Sequence, residues 1–343
     1  MGTQTKEIYP LRNIKLGVYL QRLTKYLKIC ILRLLKARIL EKIFCQKIIQ
    51  IFIKLNLIPM INIKNILVPI DFSTTARNAY QYAKKLAEKL NASVTLIHIE
   101  EYYMPLSEIP FDISTQKEYY VKEEMANFIK EENIDDDWTI INQKLKHKTL
   151  KGNIEGTIIA LSDESSTDLI VIGTTGLQDF LSKITGNVSL TVAKKAHCPV
   201  ILVPNLAKWK EIKKIMYASN YDATSSKVVE EIIEFSLYLD AKVDFVHVED
   251  YSSKDEIRKT AIMKEELFEL TDHIASLNVH SIYGDDKIEK LEEYATDNNI
   301  DLMAFASQRR GFWENFMHKS VTEHIALSTD KPMMLLHLNN KLE

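Results

Sequence analysis

The sequence predicts an α/β protein made of two tandem Rossmann-like domains, and three observations carry that prediction. Short apolar runs rich in β-branched residues, such as KNILVPI at 64–70, SVTLIHI at 93–99 and LIVI at 169–172, alternate with segments of helical periodicity. Strands that alternate with helices form a parallel sheet covered on both faces. The same pattern restarts after residue 211, and 343 residues suffice for two domains of roughly 100–200 residues each.

Composition narrows the class. The chain is 46% apolar and 27% charged, as expected of a globular protein. Its net charge of −3 hides an asymmetry: residues 1–59 hold 12 Lys and Arg against 2 Asp and Glu, whereas the remainder holds 32 against 45. The body is therefore acidic, which argues against general nucleic-acid binding. Cys30, Cys45 and Cys198 have neither metal-ligand spacing nor an even count, a usage that fits a reducing cytoplasm.

The extension 1–59 is Leu/Ile-rich with a Lys or Arg every few residues, and no run of roughly 18 uncharged apolar residues interrupts that pattern. Two readings stay open. It is a basic apolar helix that touches an anionic membrane surface, or it is a leader upstream of a natural start at Met60. From Lys64 the elements follow in order. The strand 64–70 runs into a turn at Asp71, Phe72 and Ser73, and Thr74 or Thr75 caps a helix over 76–90. A strand at 93–99 leads to a Pro-containing loop over 101–115 and a helix over 116–132. Asp135, Asp136 and Asp137 read as a solvated turn before a strand at 138–145. Gly152 turns the chain into a helix over about 154–162.

The stretch from Asp168 to Pro204 then carries the chemistry. A buried strand stops at Gly173, Gly176 and Gly186 follow, a helix covers 188–195, and a second strand covers 199–203. Glycines admit close backbone approach, and the first N–H groups of a helix lack intrahelical acceptors, so the pattern suits a phosphate. Three glycines that merely make turns fit the spacing equally well. Asp71 and Gly173 end the first and fourth strands, so the two face one crevice if those strands are neighbours. A turn-forming role for Asp71 is the alternative.

Residues 212 onward repeat the unit. Ile215 parallels Ile66 and His247 parallels His98 at an offset of 149, while Asp301 parallels Asp168 and Pro332 parallels Pro199 at 133. The difference places extra chain in the first copy, after Ile99. In the second copy Asp71 becomes Asn220, and Gly173, Gly176 and Gly186 become Ala306, Arg309 and Lys319. Side chains there crowd the approach a phosphate needs, so the second site reads as degenerate. His98 and His247 recur in both copies, which favours a structural hydrogen-bonding role.

With Asp71, the strand ending in His98 and Ile99, and the glycines at 173, 176 and 186 in place, the chain from about Met60 resembles the universal stress protein family in its tandem form. The resemblance implies two adenine nucleotide α-hydrolase-like domains, each a five-stranded parallel sheet of order 3-2-1-4-5. It implies pairing of the domains through their last strands, and binding of ATP, with or without Mg²⁺, in a stress-response role. Carried onto this chain, Pro69, Ile70 and Asp71 line the adenine and ribose side, and Ile99 packs on the base. Ile172, Gly173 and Gly176 bound the phosphates, and Gly186, Asn187, Val188 and Ser189 hold them at the helix start. Asn187 departs from the family, which usually has Ser or Thr directly after the last glycine. The expected division is an extension 1–59, a binding-competent domain 60–204, a linker 205–211 and a degenerate domain 212–343. Three functions remain: an ATP-binding regulator or sensor, a slow ATPase, and a dimerisation or interaction protein without nucleotide; a homodimer is compatible with the chain in any of them. Neither a catalytic residue nor a metal site is expected.

Overall fold

A computed structural model describes residues 63–101, 111–133, 144–174, 188–218, 226–249, 277–308 and 329–338. The first copy contains β1 (Asn65–Pro69), α1 (Thr74–Leu90), β2 (Ser93–Glu100), α2 (Phe111–Glu131), β3 (Leu145–Lys151), α3 (Ile154–Ser162), β4 (Leu169–Thr174), α4 (Val188–Lys195) and β5 (Val200–Pro204). The second contains β6 (Lys214–Ala218), α5 (Ser226–Leu239), β7 (Lys242–Glu249), β8 (Leu277–Tyr283), α6 (Lys287–Asp297), β9 (Leu302–Gln308) and β10 (Met333–Leu338). The extension 1–59 and the Asp135–Asp137 turn lie outside the described residues.

Several elements differ from the sequence expectation, each for a local reason. Helix α1 starts at Thr74 because Ser73, not Thr74 or Thr75, is its cap: the Ser73 hydroxyl accepts a hydrogen bond from the Ala76 N–H at 3.1 Å. Thr75 is buried instead. Helix α2 begins at Phe111, inside the expected loop and directly after Pro110. The third strand of the sheet is Leu145–Lys151, LKHKTLK, whereas the expected strand was 138–145, of which residues 138–143 lie outside the described residues. It is an edge strand whose residues are mostly exposed, so it lacks the apolar run by which buried strands announce themselves. Strand β4 continues through Gly173 to Thr174 rather than stopping at the glycine.

Among the described residues the strands form one ten-stranded sheet of order β3-β2-β1-β4-β5-β10-β9-β6-β7-β8. Each copy therefore has the expected order 3-2-1-4-5, counted within itself, with parallel pairing throughout. The two copies meet through their last strands: β5 and β10 pair antiparallel, with Ile201 opposite Met334. The extra chain of the first copy falls between β2 and β3, because Ser93 and Lys242 start equivalent strands 149 apart while Leu145 and Leu277 start equivalent strands 132 apart.

The central strands are buried on both faces. Leu67, Ile170, Ile172 and Leu202 pack with Ile158 of α3 and Leu190 and Val192 of α4, and the same apolar layer continues through Met333 and Leu335 to Leu291 of α6. The alternate residues of β4 and β5, among them Val171 and Ile201, take the opposite face, where α1 lies. The linker is bolted to α1. Asn78 Nδ2 donates to Pro204 O at 2.9 Å and Ala207 O at 2.8 Å, the Tyr82 ring meets Trp209 edge-on at 4.8 Å, and Lys89 pairs with Glu211 at 2.6 Å.

Asp168 and Asp301, singled out only as repeat markers, share one task. Asp168 Oδ2 accepts from the Lys64 and Asn65 N–H groups, both at 2.9 Å, and Asp301 Oδ2 accepts from those of Lys213 and Lys214 at 2.9 and 3.0 Å. In each copy the carboxylate before the fourth strand satisfies the otherwise unpaired amides where the first strand begins. No helix among the described residues is long and apolar enough to cross a membrane.

Candidate functional site

The sheet order changes direction between β1 and β4, because β1 is followed in chain order by β2 on one side and β4 by β5 on the other. The β1–β4 ladder runs through Ile66–Leu169 and Leu67–Ile170. Beyond it, Pro69, Ile70 and Asp71 continue from one strand and Ile172, Gly173 and Thr174 end the other. Ile99, near the end of β2, and Val188 and Ser189, at the start of α4, border the same carboxyl ends. Among the described residues the structure thus gathers Pro69, Ile70, Asp71, Ile99, Ile172, Gly173, Val188 and Ser189 at the ends of three neighbouring strands and one helix. Gly176, Gly186 and Asn187 lie outside the described residues.

Ile70, Ile99 and Ile172 are buried and form apolar flooring, whereas Asp71 is exposed. Asp71 does form the turn: its Oδ1 accepts from the Ser73 N–H at 3.1 Å and the Ser73 hydroxyl at 2.5 Å. Its Oδ2 has no partner among the described residues, so turn-forming and ligand-facing roles are compatible in one carboxylate. The residue between them, Phe72, has φ of 62°, a left-handed conformation that costs a side chain of this size about 1–2 kcal/mol. Its ring lies 4.6 Å from that of His98 and meets Phe128 of α2 edge-on at 5.9 Å. Arg77 covers Phe128 at 4.9 Å and pairs with Glu132 and Glu131 at 2.8 and 3.0 Å. The bond to Glu132, foremost, holds the Arg77 guanidinium above its ordinary pKa. His98 Nδ1 lies 3.0 Å from Ile70 O, the hydrogen-bonding role expected of it.

Gly173 has a packing reason beside any ligand. A Cβ there would lie 2.7 Å from Thr75 O and 2.6 Å from Thr75 Cγ2, so only glycine lets the first turn of α1 press onto β4. The Ser189 hydroxyl donates to Gly173 O at 2.6 Å and ties the first turn of α4 to the end of β4. That commits the Ser189 hydrogen to the backbone and leaves its oxygen lone pairs for other partners. Thr174 Oγ1, buried beside this junction, has no partner among the described residues. A bare backbone, an orphaned hydroxyl and a helix start fit a phosphate-bearing group. The ring contacts of Phe72 with His98 and Phe128 and the Ser73 relay escaped the sequence reading, which gave Phe72 and Ser73 only as turn residues. An aromatic at both Phe72 and Tyr221, equivalent by the offset of 149, was the signal available.

A second polar cluster, in the other copy, has no counterpart in the first. Asp244, fully buried, accepts from Asn278 Nδ2 at 2.8 Å and the Tyr294 hydroxyl at 3.0 Å, pairs with Lys214 Nζ at 3.0 Å, and lies 3.9 Å from His280 Nε2. Burial pushes its pKa up, but the bonds from Asn278, Lys214 and Tyr294 outweigh it and leave the carboxyl below its ordinary range. Burial foremost, with Asp244 beside it, pushes the Tyr294 hydroxyl upward. The equivalent first-copy positions of Lys214 and Asp244, by the same offset, are Asn65 and Thr95. Cys198 is buried, and burial together with Asp168 pushes its thiol up to about 12, which makes it inert packing.

Comparison with known proteins agrees with this architecture. A universal stress protein from Archaeoglobus fulgidus superposes with a TM-score of 0.58 at 15% identity, covering 80% of this chain and 98% of that one. Another from Pseudomonas aeruginosa gives 0.51 at 13% identity, covering 82% and 95%. At the sequence level a universal stress protein of Methanocaldococcus jannaschii is 29% identical over 142 residues, 41% of this chain and 81% of its own length. A Staphylococcus aureus relative bearing the same family name is 30% identical over 145 residues, 42% and 86%. The model of the universal stress protein family matches twice, over residues 62–204 and 211–337. With both halves matched and the sheet order repeated in each, the chain belongs to the universal stress protein family.

Proposed function

We propose that the first domain, 60–204, binds ATP at the crevice between β1 and β4, and that the chain acts as a regulator or sensor in a stress response. The single observation behind this reading is the asymmetry of the two copies at one crevice. The first has the exposed Asp71 carboxylate, the side-chain-free Gly173 pressed on Thr75, and an α4 start tied down by Ser189. The second has Asn220, Ala306, Arg309 and Lys319 at the equivalent positions. Asp71 and the apolar Ile70 and Ile99 suit a ribose and a base. The glycines, Asn187, Val188 and Ser189 suit the phosphates, with Mg²⁺ as a counter-ion to the phosphate charge.

Binding without turnover is the favoured form. Hydrolysis needs a group that orients water, and of the described residues gathered at the crevice only Asp71, already tied to Ser73 through Oδ1, is acidic. The domain 212–343 then serves as the partner of the first through β5 and β10, and 205–211 as the linker. The test is the nucleotide released when protein purified without added ligand is denatured, together with calorimetry of ATP binding with and without Mg²⁺. ATP release or saturable binding is expected, and Gly176→Arg, which copies Arg309, should abolish it while the protein stays folded. Absence of both release and binding in the unaltered protein would overturn the reading.

A further inference from the structure

The backbone leading into Asp71 is over-determined. Ile70 is held on both of its main-chain polar atoms by consecutive residues of β2: its N–H donates to Ile97 O at 2.8 Å, and its C=O lies 3.0 Å from His98 Nδ1. A carbonyl oxygen only accepts, so His98 carries its hydrogen on Nδ1. Two residues later Phe72 sits at φ 62°, a conformation bulky side chains avoid, and its ring rests on the His98 ring at 4.6 Å with Phe128 at its edge. Strain of this kind persists only where surrounding contacts enforce it, and an observed outlier beside a candidate site asks for a use. Asp71 lies between the two anchored residues. Its carboxylate direction follows from the Ile70 peptide on one side and the Phe72 conformation on the other, and a single side chain, His98, touches both.

We infer that His98 is a positioning residue: through its hydrogen bond to Ile70 and its ring contact with Phe72 it sets the direction of the Asp71 carboxylate at the nucleotide crevice. The inference rests on the ATP reading of that crevice. The pair recurs in the sequence as Tyr221 and His247, with Asn220 where the first copy has Asp71.

The experiment separates the ring from the hydrogen bond. His98→Phe keeps an aromatic under Phe72 and removes the donor. His98→Asn places an amide N–H near the Nδ1 position without a ring. ATP affinity is measured by calorimetry for the unaltered protein and both variants, with thermal melting alongside. His98→Phe should bind about five- to tenfold more weakly, the equivalent of one neutral hydrogen bond, and His98→Asn should recover part of that loss. If His98→Phe does not fold, Phe72→Gly takes its place: glycine accepts the left-handed backbone but does not enforce it, so affinity should again fall. Nitrogen-15 NMR of the unaltered protein adds a readout independent of nucleotide, and the Nδ1–H tautomer is expected. Undiminished ATP affinity in His98→Phe or Phe72→Gly overturns the inference, as does an Nε2–H tautomer. Failure of the unaltered protein to bind ATP overturns the underlying reading instead, which keeps the two failures apart.

Discussion

One missing side chain and one buried carboxylate decide much of the local chemistry. At Gly173 the absent Cβ is what allows the first turn of α1 to touch β4, with Thr75 O only 2.7 Å from where a Cβ would stand. Gly173→Ala should therefore destabilise the first domain by about 1–3 kcal/mol, the usual cost of overpacking a closed junction. A urea titration checks this, and an unchanged midpoint would mean that the α1 junction yields more easily than its distances imply. At Asp244 a buried carboxylate is stabilised in its charged form by Lys214, Tyr294 and Asn278. Its folded pKa is depressed, so its contribution is fully present above the unfolded value near 4 and is lost as pH falls through the lower folded one. Asp244→Ala should cost about 3–5 kcal/mol near neutral pH, because it leaves the partners of a buried ion unpaired. The difference between variant and parent should shrink as pH drops below 4. Urea midpoints measured from pH 7 to pH 2.5 follow that convergence, and a pH-independent difference would contradict it.

At the level of elements, the turn joining β1 to α1 is the part on which the site depends most. One serine hydroxyl both donates to Asp71 Oδ1 and caps α1 by accepting from the Ala76 N–H. Ser73→Ala removes both bonds. It should cost about 1 kcal/mol of stability as a lost cap, and should also weaken ATP binding by loosening Asp71. Melting and calorimetry on the same sample read the two effects, and a loss of stability with unchanged affinity would detach Asp71 from the capping serine. Most elements were legible in the sequence because their burial leaves a mark. β1, β2, β4 and β5 are apolar runs, and α1 repeats its apolar residues at helical spacing. β3 was not legible: at the sheet edge LKHKTLK has little to bury, while the apolar pattern of 138–141 drew the expected strand upstream. The cap was missed because three consecutive hydroxyl residues, Ser73, Thr74 and Thr75, compete for it, and only packing shows that Thr75 is needed against Gly173.

For the whole molecule, the β5–β10 seam makes one sheet of two domains. Ile201 and Met334 sit opposite each other there, both essentially inaccessible to solvent. Because the apolar layer runs through Leu202 and Met333 without a break, the copies should unfold in one cooperative transition rather than two. Ile201→Asp would bury an unpaired charge at the β5–β10 seam, on the sheet face opposite that layer, and should lower the melting of both copies together. Differential scanning calorimetry decides the matter: two resolved transitions in the parent protein would show that the seam joins the domains without coupling them.

The alternating apolar runs, the duplicated pattern and the loss of three glycines in the second copy were all present in the order of residues, because burial and backbone freedom act through residue type and spacing. They were enough to indicate alternating strands and helices in a parallel sheet, the repeat and the asymmetry of the two crevices, while the sheet order was what the family resemblance implied. Three-dimensional packing alone revealed why Gly173 must be glycine, how Ser73 serves two partners, and that Asp168 and Asp301 tie strand starts more than a hundred and about ninety residues away in their copies, respectively. It also revealed that Asp244 gathers Lys214, Asn278 and Tyr294 around itself. Each of these is a contact between residues distant in the chain, and no local period or propensity records which side chains the sheet will bring within hydrogen-bond reach.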